Sequence, residues 1–264
     1  MSRIRERIDY ILKILCTGAV ITACVSLSSP VQALSGSPAQ TRTVEHLRTL
    51  RSQPPLLWAF LKDMPKGGDL HSHLSGAIYA ESMLGWAAED GLCVNNQTLT
   101  LSKPPCHEDA GQLPATKAQT DASLYRRMID AWSMRNPAAS GLSGHDQFFD
   151  SFAKFGEATS SHRGDMLAEV ASRASAGRVS YLELMLTPAS SAITELATRI
   201  HWDDDLGRLR TVMLEQGLPE VLRAATEDLN SAEAKQRDIL HCGTADPASG
   251  CSVTVRYLYQ VARG

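Results

Sequence analysis

Between Pro65 and Ala77 the chain reads Pro-Lys-Gly-Gly-Asp-Leu-His-Ser-His-Leu-Ser-Gly-Ala, an extended segment that ends on two histidines and then meets a glycine turn. Side chains in a strand alternate faces, so residues i and i+2 point the same way. His71 and His73 are therefore predicted to offer two imidazoles to one metal ion from a single strand end. A bare His-x-His pair is common. Its place at the end of a strand, just before a turn, is what gives it weight. Residues 77–90 then carry a helical pattern closed by Gly91, so the segment opens a β/α unit.

The rest of the chain repeats that alternation. Residues 43–62 predict two short helices broken at Pro54-Pro55, and residues 92–120 predict an insertion without steady periodicity. Residues 121–135 predict a helix. Phe148, Phe152 and Phe155 recur on one face of a further helix, a stripe expected to be core. A long helix over 161–176 leads to a second strand, Val179-Ser180-Tyr181-Leu182-Glu183-Leu184-Met185-Leu186. Helices are predicted over 203–217 and 230–241, and a third strand over 251–261. Strands alternating with helices predict an α/β fold with a parallel sheet.

The N-terminus adds a cellular context. Arg3, Arg5 and Arg7 precede an apolar stretch from Ile11 to Leu27, and small residues follow to Ala33. That order reads as a signal peptide over residues 1–33, hence an exported, periplasmic or extracellular protein. The alternative is a lipoprotein signal ending before Cys24, which would become the lipid anchor. Residues 34–42, rich in Ser, Pro, Gln and Thr, read as a flexible start of the mature chain. No later segment approaches the ~20 apolar residues of a membrane span. Cys16 and Cys24 fall inside the signal, leaving Cys93, Cys106, Cys242 and Cys251. Their spacing suggests two local disulfides, Cys93–Cys106 and Cys242–Cys251, with other pairings open. The formal net charge is -3 and no basic run follows the signal, which argues against a nucleic-acid partner.

The run at 65–77 resembles the first-strand signature of the adenosine deaminase family, Pro-Lys-x-x-Leu-His-x-His-Leu-x-Gly-Ala, which opens a zinc-bearing (β/α)8 barrel. Its Gly-Gly-Asp and Leu-Ser-Gly-Ala variants are more similar to the secreted, growth-factor-type branch and its bacterial relatives. The second strand resembles the family's Val-x-Tyr-x-Glu-x-Arg-x-x-Pro, with Met185 where arginine is usual. The Phe-rich helix also matches one that the family places before its second strand.

The resemblance implies a partial (β/α)8 TIM barrel spanning residues 43–264, about its first three strands, with the insertion at 92–120. It implies a Zn2+ cofactor held in part by His71 and His73, and adenosine or a related purine nucleoside as substrate. His73 matches a position that also contacts substrate, and Ser75 falls where cytosolic members place a ribose-binding aspartate. A serine can hydrogen-bond there without the charge-assisted strength of a carboxylate. The family's later zinc ligands and its His-Ala-Gly-Glu segment have no match in the sequence, so the chain is expected to be a truncated member, inactive alone. Glu183 reads as a polar residue of the barrel interior rather than a catalytic acid. His46, His107, His145, His162, His201 and His241 read as surface or capping residues. Two other readings stay open: another amidohydrolase-type metal hydrolase, and a non-catalytic secreted binding module. Oligomeric state is not legible from the residues.

Overall fold

A computed structural model describes residues 37–260, so the signal expected over residues 1–33, with Cys16 and Cys24, lies outside the described residues. The chain divides into two compact units, Met1–Leu61 and Lys62–Gly264.

In the first unit, α1 (Pro38–Leu50) starts under a capping box: the Ser37 hydroxyl accepts from the Gln40 amide, and the Gln40 side chain accepts from the Ser37 amide. Pro38 at the first helical position completes the start signal. The flexible segment expected over 34–42 is thus helical from Pro38 onward. A second helix, α2 (Pro54–Asp63), begins at the proline pair, and the His46 and Phe60 rings meet edge to face with centroids 5.7 Å apart.

The second unit opens with β1 (Gly67–His73) and α3 (Ala80–Glu89), whose left-handed Gly91 (φ 65°) stops the helix as a residue with a Cβ rarely does. The insertion is ordered. Its strands β2 (Cys93–Asn95), β3 (Leu101–Ser102) and β4 (Gln112–Pro114) form an antiparallel sheet in the order β3-β2-β4. Cys93 bonds to Cys106 at its base. Then come α4 (Ala122–Trp132), α5 (Gly144–Thr159), α6 (Arg163–Ala176) and β5 (Val179–Leu186). The chain continues through α7 (Ser190–Arg199), α8 (Leu206–Glu215), α9 (Leu218–Ile239) and β6 (Thr254–Tyr259), with a Cys242–Cys251 disulfide before the last strand. Both expected disulfides are formed. Two helices depart from expectation: α7 had not been predicted, and α9 starts at Leu218 rather than near residue 230. Pro219 sits in the first turn of α9, where its missing N–H costs nothing.

β1, β5 and β6 make a parallel sheet in that order, with β5 central. This is the α/β arrangement expected; the strands described form three neighbours of a sheet. Leu182, Leu184 and Leu186 alternate onto the face covered by α6, where Met166, Leu167, Val170 and Ala171 are buried. Tyr181, Glu183 and Met185 point to the opposite face and stay only half-buried. Among the described residues no helix is long and apolar enough to cross a membrane.

α6 crosses α9 at Gly164, where an added Cβ would stand 2.7 Å from Lys235 Cβ and 3.0 Å from the Ala232 carbonyl oxygen. Both obstacles are on or next to the backbone, so they cannot swing aside. Gly164→Ala is expected to cost about 1–3 kcal/mol, read as a lower urea midpoint with unchanged slope. A midpoint equal to wild type would show that the two helices are free to part.

Candidate functional site

Active sites of parallel α/β sheets lie beyond the carboxyl ends of the strands, where strand ends and the following turns converge. His73 closes β1, Thr187 follows β5, and Gln260 follows β6. Together with Ser75, Ser160, Arg163 and Met185 they line a cavity of about 260 Å³ at this end. A second cavity, about 230 Å³, shares Ser75 and Phe152 with the first and is walled by Tyr79, Trp132, Phe148 and Phe155. Of the aromatic stripe expected as core, only Phe155 is buried; Phe148 is 39% exposed. The stripe faces this second cavity, because helical periodicity says which residues share a face and not what the face meets.

His71 and His73 do lie together. Their rings meet edge to face with centroids 5.6 Å apart. Two imidazoles bound to one tetrahedral zinc, with Zn–N near 2.0–2.1 Å, place their centroids about 5–6 Å apart, the same range as this pair. His71 is exposed and His73 half-buried. β1 holds one extra residue against β5 here: Asp69 pairs with Leu182 but Ser72 with Leu184. Bulges of this kind are frequent beside functional sites. The Asp69 carboxylate accepts from the His71 amide at 3.1 Å across the irregular stretch. Among the described residues no group of three His, Cys, Asp or Glu is placed to hold a metal.

His73 Nδ1 lies 2.8 Å from Gln260 Oε1. Met185 is the register partner of His73 and puts a thioether in the cavity wall. Glu183 points to the same sheet face as His73, one pair further from the cavity. It accepts from the Tyr181 hydroxyl at 2.9 Å and sits opposite Arg256 on β6. The bond to Glu183 holds the Tyr181 phenol in its protonated form and raises its pKa. Neither residue lines the cavity.

The floor is charged but compensated. Arg163 pairs with Asp228, and its burial lowers its pKa. The nearby Tyr257 hydroxyl is buried; burial first, then the Glu233 carboxylate, raise its pKa. His162, between cavity residues Ser160 and Arg163, is the N-cap of α6, the capping half of its reading, but it is not on the surface: it is 9% exposed. Its ring stacks on Trp86 with centroids 4.9 Å apart, Nδ1 lies 3.1 Å from Asp165 and Nε2 3.2 Å from Asp90. Both carboxylates and the indole fix the loop that delivers Ser160 and Arg163. Sequence reasoning missed Thr187, Gln260, Ser160 and Arg163, although each lies at an element end facing the strand termini.

No family model matches the chain, and neither does any curated protein or solved structure.

Proposed function

We propose that these residues belong to an exported zinc-dependent adenosine deaminase of (β/α)8 architecture, converting adenosine and water to inosine and ammonia. The observation that carries the reading is the His71–His73 pair, two rings 5.6 Å apart at the carboxyl end of the first strand of a parallel sheet. Export is supported by two formed disulfides, which persist in oxidising compartments.

His71 and His73 would hold the metal as two of its ligands. Zinc, when bound, lowers the pKa of its water toward neutrality and so supplies a nucleophile. The chain's own residues bind and position. The Ser75 hydroxyl, at the junction of the two cavities, can donate to or accept from a sugar hydroxyl. Phe152 and Met185 give the pocket apolar walls that keep water from the ligand. Arg163, already paired with Asp228, anchors the floor and adds no uncompensated charge.

The test is zinc titration and adenosine consumption by the full natural protein, with His71→Ala and His73→Ala alongside. Zinc binding is expected to weaken in either variant, by 10-fold or more, and deamination to be chelator-sensitive. A protein that binds zinc equally well without both imidazoles, or that never consumes adenosine, would overturn the reading.

A further inference from the structure

We propose that Gln260 is a positioning residue: its side-chain oxygen holds His73 in the tautomer protonated at Nδ1, leaving Nε2 as the basic, ligand-ready nitrogen. A neutral imidazole carries one N–H, and a carboxamide oxygen only accepts. With Oε1 2.8 Å from Nδ1, the proposal assigns the proton of the neutral ring to that nitrogen. The lone pair is then on Nε2.

Gln260 is built to do this. Its amide donates to the Leu186 carbonyl at 3.0 Å, and its own carbonyl accepts from the Thr187 hydroxyl at 3.2 Å. Both bonds tie its backbone to the end of β5, so only the side chain is left to reach the His73 ring. β1 and β6 are not neighbours in the sheet, and the contact crosses over the end of β5 to join them. Metal-binding histidines commonly give their second N–H to a carboxylate or carbonyl, which fixes both tautomer and ring orientation. Here a carboxamide takes that part. The claim rests on the metal-hydrolase reading only for what binds at Nε2; the tautomer does not depend on it.

The experiment uses the full natural protein labelled with 15N-histidine, with His73→Ala to assign the His73 signals. Long-range 1H–15N spectra are expected to show His73 protonated at Nδ1 in the wild type. Gln260→Leu, and Gln260→Asn whose oxygen falls short, are expected to shift the ring toward the Nε2-protonated form. Gln260→Glu keeps an acceptor in reach and is expected to retain the wild-type tautomer. Zinc affinity should fall about 10-fold or more in the Leu and Asn variants and much less in the Glu variant. A wild-type ring protonated at Nε2, or a tautomer indifferent to all three substitutions, overturns the proposal. If the tautomer responds to Gln260 while wild-type protein binds no zinc, the metal reading fails and the role of Gln260 stands. Circular dichroism of each variant separates these outcomes from unfolding, since the backbone bonds of Gln260 do not involve its side chain.

Discussion

Leu184→Ala is expected to lower the unfolding free energy by about 2–5 kcal/mol, the range for a leucine removed from a core that cannot collapse around the gap. Leu184 is 1% exposed at the middle of the central strand, with strands on both sides and α6 above. Met185→Ala, one residue on, probes the other face. In the described residues that side chain is only half-buried. Parallel sheets are normally covered on both faces, and a closed barrel fills its interior with layers of side chains. The barrel proposal therefore requires Met185→Ala to cost about as much as its neighbour in the full natural protein. A loss under about 1 kcal/mol, the size of a surface substitution, would leave the sheet open on that side and count against the barrel. Urea midpoints by circular dichroism distinguish the two.

What was legible in the sequence was local. The two-residue spacing of His71 and His73 fixed that their rings share a face, and the rings meet. All three strands of the parallel sheet lie where the sequence placed them, and β5 buries every second residue. Cysteine spacing gave both disulfides. What was not legible depended on distant parts of the chain. The contact of His73 with Gln260 joins residues 187 apart, and no pattern near either one announces it. His162 carried no local sign of burial, since Trp86 and Asp90 reach it from α3 and its C-terminal cap. The site residues that were missed share one positional signal: Thr187 and Gln260 directly follow strands, and Arg163 starts a helix facing them. Marking the residue after each strand would have found Thr187 and Gln260 before any geometry was known; Ser160 and Arg163 lie at helix ends instead.

Replacing Cys242 and Cys251 together by alanine is expected to cost about 2–4 kcal/mol. The bond spans 9 residues between the end of α9 and the turn that delivers β6. That turn, Ser249–Ser252, seats Gly250 against the backbone of α6, where an added Cβ would lie 3.0 Å from the Ser172 amide nitrogen. The Cys251 sulfur lies 3.3 Å from the Leu240 carbonyl oxygen, and both cysteines pack on the core. Without the cross-link the unfolded chain regains loop entropy, and the turn loses the tether that holds it in this close fit. For a unit of this size the loss corresponds to a fall in Tm of roughly 5–15 °C. The effect reaches the candidate site, because β6 carries Gln260 from this turn to His73. The His73 tautomer of the double variant should be less uniform than that of the wild type, though its side-chain contacts are intact in sequence. Thiol titration of denatured, unreduced protein is the companion measurement. No free thiol among Cys93, Cys106, Cys242 and Cys251 is the expected result; four free thiols would mean that neither bridge forms and that the oxidising compartment is wrong.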